Sequence, residues 1–195
     1  GIRLKGANSN IEFENVYSVQ NDVRGATVPG SADLQDLVLD GVSFSNNPND
    51  GLRASTASSI DGLTIQNSQF DDNLGADSSG IEIYQNEDTP GQLNDVVIEY
   101  TTFNNNGQKG IDTEKLSNAT FDNITVDGVQ NDTSNTNTGI DINLKYDDYQ
   151  NTSIQNSVVA NVSERDPYNN NPSVATGIAV KARHDPSSYY STPAT

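Results

Sequence analysis

The sequence predicts an all-β protein: a right-handed parallel β-helix of about six coils with uncapped ends. Three observations predict this solenoid. A glycine followed by an apolar residue returns along the chain, a second block with a polar turn returns in step with it, and apolar and polar residues alternate inside both blocks. Helical spacing of apolar residues is absent, so the repeats are built from strands.

The first repeated block begins with the glycine. Successive glycines are separated by 24, 26, 29, 30, 29 and 38 residues, from subtraction of their positions. This period suits one solenoid coil, whereas ankyrin and tetratricopeptide repeats require helices, leucine-rich repeats a denser leucine pattern and propeller blades four strands. The block occurs at Gly1-Ile2, Gly25-Ala26, Gly51-Leu52, Gly80-Ile81, Gly110-Ile111, Gly139-Ile140 and Gly177-Ile178.

The second block contains an apolar residue, then a polar one, then usually asparagine or glycine. Those two residue types tolerate a left-handed backbone best, so this third position predicts a bend; Tyr100 is the exception. The block occurs at Phe13-Glu14-Asn15, Leu39-Asp40-Gly41, Ile65-Gln66-Asn67, Ile98-Glu99-Tyr100, Phe121-Asp122-Asn123 and Ile154-Gln155-Asn156.

Several segments carry a family resemblance. The Gly-Ile-x-Ile strands, together with "LTIQNSQFDDN" (63–73), "VIEYTTFNNN" (97–106) and "TSIQNSVVANV" (152–162), resemble the coils of pectate-lyase-like right-handed β-helix proteins with PbH1-type repeats. The resemblance covers nearly the whole chain and implies the fold. It does not transfer a catalytic set, because the His-Gly motif of polygalacturonases and the Asp-Pro-His motif of mannuronan epimerases are missing.

Composition narrows the classes of partner. The formal charge of −17 repels phosphate backbones and anionic membrane surfaces, so we expect no nucleic-acid binding. The chain has no run of about 18 apolar residues, so we expect no membrane insertion. Cysteine is absent, which excludes disulfides and thiolate metal sites. The abundance of Asp, Asn, Ser and Thr favours an extracellular or cell-surface protein.

The repeats run through residues 1–195 and predict one β-helix domain. Gly1 to Lys5 already reads as a regular strand, with no polar or helical cap before Ile2 and Leu4. We therefore expect a segment of a longer chain, or a module that associates end to end with another copy.

Stacked repeats turn distant positions into neighbouring rows. The outward residue two positions after each glycine forms one row: Arg3, Thr27, Arg53, Glu82, Asp112, Asp141 and Ala179. Carboxylates about 4.8 Å apart repel one another and raise at least one pKa, as acid-base catalysis requires. The catalytic candidates are Glu82, Asp112, Asp141 and, from the next outward row, Glu114. A solvated strand face and a calcium site remain alternatives.

Loops and aromatic residues follow the same strand. Insertions at 85–95, 145–151 and 182–193 would form the walls of a cleft, tyrosine rings could stack on sugars, and basic groups could bind a uronate carboxylate. The substrate-binding candidates are Tyr84, Arg53, Lys145, Tyr146, Lys181, Arg183 and His184.

Two classes of function follow. The first is an extracellular carbohydrate-active β-helix that binds or processes a polysaccharide as a hydrolase, lyase or C5-epimerase, with no cofactor required. The second is a non-catalytic surface module, such as an adhesin, tailspike shaft or filament subunit, which calcium could stabilise.

Overall fold

The computed structural model describes residues 1–54, 59–84, 93–129, 137–145, 149–163 and 175–183. Every regular element among these residues is a β-strand. In chain order the strands are β1 (Ile2–Arg3), β2 (Ala7–Glu14), β3 (Ala26–Val28), β4 (Asp33–Asp40), β5 (Leu52–Ala54), β6 (Ser59–Gln66), β7 (Ser79–Ile83), β8 (Leu93–Glu99), β9 (Lys109–Glu114), β10 (Leu116–Asp122), β11 (Thr125–Asp127), β12 (Thr138–Lys145), β13 (Thr152–Gln155), β14 (Val158–Ala160) and β15 (Thr176–Arg183).

The strands form parallel sheets that run along a solenoid. Sheet 1 has the order β1-β3-β5-β7-β9-β12-β15 and contains the glycine-initiated strands, and sheet 2 has the order β13-β10-β8-β6-β4-β2. Sheet 3 joins β11 to β14 and continues as single parallel bridges through Thr102, Gln69, Ser43 and Tyr17. The predicted parallel β-solenoid is confirmed, but it has about 5 turns, slightly fewer than the expected six.

The predicted left-handed bend is present in every repeat. Asn15, Gly41, Asn67, Tyr100, Asn123 and Asn156 all have φ between 49° and 61°, so Tyr100 adopts the same backbone conformation as its neighbours in the row. Two further rows that the sequence analysis did not anticipate also have positive φ. They are Asn10, Asp36, Gly62, Asp95, Asn118 and Asn151, and Gln20, Asn46, Asp72, Asn105, Gly128 and Asn161.

The repeating glycine of sheet 1 has a different cause, namely close packing. A Cβ on Gly51 would lie 2.6 Å from the carbonyl oxygens of Phe44 and Gly80, and a Cβ on Gly110 would overlap Val126 Cγ1. The glycine therefore lets the start of each sheet 1 strand approach the residues of sheet 3 and of the next coil.

The interior is layered. Phe70 packs edge-on against Phe44 and stacks on Phe103, with ring centroids 5.6 and 5.4 Å apart. Beside the rings runs a buried asparagine ladder, in which each side-chain Nδ2 donates to the Oδ1 of the next coil at 3.0 to 3.1 Å. Its members are Asn21, Asn47, Asn73 and Asn106. The ladder satisfies polar groups that would otherwise be costly in an apolar core.

Apolar side chains at both ends of the described stack are less covered than those at the centre. In the first coil, Ile2, Leu4, Ile11, Phe13 and Val16 are only partly buried. On β15, Ile178 and Val180 are 46% and 62% exposed. The described segments contain no helix that is long and apolar enough to cross a bilayer.

Candidate functional site

The outer face of sheet 1 carries the predicted row of charges. Arg53 pairs with Glu82, Glu82 with Asp112, and Asp112 with Asp141 as residues in register on adjacent strands. Arg3, Thr27 and Ala179 complete the row as expected. Residues far apart in the chain are therefore neighbours along the solenoid axis.

The first half of the row is an ion-pair chain around Asp50. The Asp50 carboxylate is 1% exposed; its Oδ2 lies 2.8 Å from Arg24 Nε and 3.6 Å from Arg53 Nη1. Its Oδ1 accepts a hydrogen bond from the Ser79 backbone N–H at 3.0 Å. Arg53 Nη1 also lies 2.7 Å from Glu82 Oε2, so a single guanidinium contacts two carboxylates.

The second half of the row is organised by Lys109. Its Nζ lies 2.6 Å from Asp112 Oδ2 and 3.0 Å from Asp141 Oδ2, and so bridges two coils. Lys181 Nζ contacts the same Asp141 Oδ2 at 2.6 Å. Two ammonium groups therefore share one carboxylate oxygen, and this explains how three acidic side chains can stack without net repulsion.

A second row lies beside the first. Lys145 Nζ is 2.7 Å from Glu114 Oε1, which also accepts a hydrogen bond from Asn143 Nδ2 at 3.1 Å. The same ammonium lies 4.8 Å from the centroid of the Tyr84 ring, within range of a cation-π contact. Tyr84 is 41% exposed, whereas Glu114 and Lys145 are buried.

The carboxylates of the first row differ in their protonation. Burial, together with the charge of Asp50, raises the pKa of Glu82 to about 7, although Arg53 opposes the shift. Burial also raises the pKa of Asp112 against the effect of Lys109. At Asp141 burial acts in the same direction, but Lys109 and Lys181 outweigh it and lower the pKa. Near neutral pH the row thus holds Glu82, which can donate a proton, and, two strands further along, Asp141, which stays ionised.

Two buried oxygens on β12 have no hydrogen-bond partner in the described structure. They are Asp141 Oδ1 and Asn143 Oδ1, whose residues are 2% and 6% exposed. Both side chains lie on the outer face, two residues apart on one strand. Unsatisfied buried acceptors are uncommon in proteins, so these two oxygens are candidates to accept hydrogen bonds from a ligand.

Some predicted site residues cannot be placed on this face. Tyr146 and His184 lie outside the described residues. Arg183 is the last residue of β15 and is in register with Lys145, and only its backbone is described.

The structure also adds residues that the sequence analysis did not select. Arg24, Asp50 and Lys109 each stand directly before a repeat glycine. Strict alternation would turn them toward the core, but Asp50 and Lys109 form ion pairs with the outward row instead, and Arg24 pairs with Asp50. The signal that could have found them is the charge placed before the glycine. Among the described residues, no group of three or more His, Cys, Asp or Glu side chains is arranged to hold a metal ion.

Comparisons with known proteins gave no match. No protein-family model matches the chain, and no curated protein or solved structure is similar enough to it to count as a match.

Proposed function

We propose that this chain is an extracellular, carbohydrate-active β-solenoid of the pectate-lyase-like type, which binds and processes a polysaccharide along the outer face of sheet 1. One observation carries the proposal. Glu82, with a pKa raised to about 7, lies in a row with Asp141, whose pKa is lowered. A protonated and an ionised carboxyl on one face are what cleavage of a glycosidic bond needs.

The roles follow from position. Glu82 would protonate the glycosidic oxygen, and Asp112 or Asp141 would act as base or nucleophile. Adjacent coils are about 4.8 Å apart and next-but-one coils about twice that, so the two pairings bracket the separations used for retention and inversion. The exposed Tyr84 ring offers a surface for stacking against a sugar.

The test uses the full chain on a panel of neutral and uronate polysaccharides, with release of reducing ends or of unsaturated products as the readout. We expect Glu82→Gln to lower the rate by about 10²-fold or more while binding persists, because the amide cannot donate the proton. Asp61→Asn is the matched control, since Asp61 is an exposed carboxylate on sheet 2. Full activity in the Glu82→Gln variant would contradict the assigned role.

A second candidate, the non-catalytic surface module, is favoured by a specific observation. The ion pairs of sheet 1 join successive coils, since Lys109 on β9 contacts Asp141 on β12 and Lys181 on β15 contacts the same residue. Such a row would brace a shaft or filament along its axis. In that case the protein would bind no polysaccharide, and sedimentation would show end-to-end association.

Calcium stabilisation belongs to the second candidate. Melting with and without a chelator tests it directly. An unchanged midpoint would remove calcium from the proposal.

A further inference from the structure

We propose that the site on sheet 1 accepts a neutral, hydroxyl-rich polysaccharide and discriminates against polyuronates. The inference rests on the proposed carbohydrate function and specifies its substrate class. It follows from two features of the described residues: the pairing of the cations and the two buried acceptors on β12.

The first step concerns the cations. A uronate carboxylate is recognised by a basic group that is not already paired with a carboxylate of the protein. On the described part of this face, Arg53, Lys109, Lys145 and Lys181 each place a nitrogen 2.6 to 2.7 Å from a carboxylate of the protein. From Arg53 to Lys181 the cations are therefore already matched, whereas the exposed Arg3 in the first coil has no carboxylate partner among the described residues. The net charge of −17 on the whole chain gives a polyanion no long-range attraction.

The second step concerns the protein carboxylate that a bound uronate would displace from its cation. A uronate that took one of these cations would have to remove its present partner. Glu114 is 5% exposed, so loss of Lys145 to a uronate would leave this carboxylate buried without that cation, which is strongly unfavourable. A neutral sugar makes no such exchange.

The third step concerns the acceptors. Asp141 Oδ1 and Asn143 Oδ1 need donors, and sugar hydroxyls can donate. Uronates carry ring hydroxyls too, but in place of the C6 hydroxyl they have an ionised carboxylate, which can only accept. A divalent cation is disfavoured at Asp141, because Lys109 and Lys181 Nζ lie 3.0 and 2.6 Å from Oδ2 of the same carboxyl group. Lys181, with its side chain 40% exposed, is the more accessible of the two.

The experiment measures binding of the full chain by affinity electrophoresis and calorimetry. The probes are neutral polymers (xylan, galactan, mixed-linkage glucan and dextran) and uronate polymers (polygalacturonate and alginate), at low and high NaCl and in the presence of EDTA. We expect at least one neutral polymer to bind with little salt dependence and without divalent cations, and polyuronates to bind at least about tenfold more weakly.

The possible outcomes distinguish failure of the neutral specificity from failure of the carbohydrate function. Tighter binding of a polyuronate than of every neutral polymer, or a requirement for calcium, would overturn the neutral specificity and leave the carbohydrate function standing. Binding to none of the polymers would overturn the carbohydrate function, and the specificity with it.

Variants of Asn143 test the acceptor directly. Asn143→Ala removes the oxygen and should weaken neutral-polymer binding about tenfold, the effect of one lost hydrogen bond, whereas Asn143→Ser retains an oxygen and should recover part of it. Asp61→Asn on sheet 2 should bind as the parent does. Thermal melting checks that each variant is folded, and wild-type affinity in a folded Asn143→Ala variant would rule out the proposed contact.

Discussion

Asparagine and glycine mark the backbone positions where this chain adopts positive φ. Three rows of such residues run along the solenoid, and asparagine occurs in each of them. The left-handed region costs an ordinary L-residue about 1 to 2 kcal/mol, while glycine and asparagine enter it more readily. The high asparagine content therefore has a conformational cause in addition to the hydrogen bonds of the interior ladder.

Tyr100 is the residue of its own row that is neither asparagine nor glycine, and its replacement by asparagine should stabilise the protein. It has φ of 50° in a row otherwise made of asparagine and glycine, and its side chain is 58% exposed. Tyr100→Asn should raise the free energy of unfolding by about 0.5 to 1 kcal/mol, because little packing is lost and the backbone strain falls. Urea denaturation measures the change.

Tyr17→Asn is the matched control for this substitution. Tyr17 is 74% exposed but is not among the residues with positive φ, so the same exchange should give no gain. An equal gain in stability at both positions would show that the effect of Tyr100→Asn comes from the more polar exposed side chain and not from relief of strain at positive φ.

The glycines at the start of the sheet 1 strands act through contact between elements. From Gly25 to Gly139 they let a sheet 1 strand lie against residues of sheet 3 and carbonyls of the following coil, whereas Gly177 has no such close contact. This close approach is also where strict alternation breaks, since the glycine and the apolar residue after it are both buried in β7, β9 and β12. Before two of the glycines, Asp50 and Lys109 form ion pairs with the outward row.

Gly110→Ala should destabilise the solenoid. The added Cβ would overlap Val126 Cγ1 and lie 2.8 Å from the Gly139 carbonyl oxygen, so β9 would have to move away from its neighbours. We expect a loss of about 1 to 3 kcal/mol, as for other overpacked sites. Chemical denaturation of the full chain measures it.

Gly177→Ala provides the control from the same row. Its new Cβ would find its nearest neighbour, Val159 Cγ1, at 3.7 Å, an ordinary van der Waals distance. This variant should be close to the parent in stability. Equal losses at the two positions would contradict the packing explanation for the glycine row.

Charge is distributed unevenly over the solenoid. The chain has 10 Lys and Arg residues against 27 Asp and Glu residues, yet Arg24, Arg53, Lys109, Lys145 and Lys181, which are half of its cations, take part in the ion pairs of sheet 1. That face is therefore close to neutral, and the excess negative charge lies elsewhere. A polymer binding along sheet 1 would contact paired positive and negative groups and little net charge.

The protonation of this face predicts how stability depends on pH. Since the pKa of Glu82 rises from 4.5 to about 7 on folding, its contribution is present below pH 4.5 and is lost as pH rises through about 7. The shift corresponds to a free energy on the order of 3 kcal/mol. Asp141, whose pKa is lowered from 3.8, contributes above that pH and loses its contribution as the solution becomes more acidic.

Denaturation of the parent across pH 3 to 9 should therefore show stability falling between about pH 4.5 and 7. Glu82→Gln, which cannot titrate, should flatten this part of the curve, and Asp61→Asn should leave it unchanged. A parent curve that rises over the same interval would contradict the raised pKa of Glu82.

Much of the solenoid was predictable because its causes are local. The glycine period, the two-residue alternation and the asparagine bends each depend on a few adjacent residues, and together they predicted the parallel strands and the register that stacks Glu82, Asp112 and Asp141. The expected six turns proved to be about 5.

The linear pattern of residues was enough to establish an elongated parallel solenoid and the row of acidic side chains on it, because backbone sterics and alternation act over a few residues. Packing between coils decided the rest: it turned Lys109 and Asp50 outward beside the glycines, set which cation meets which carboxylate, and left two acceptors of β12 unpartnered. Those features depend on contacts between residues 29 to 40 positions apart in the chain, where a shift of one side chain changes both burial and charge.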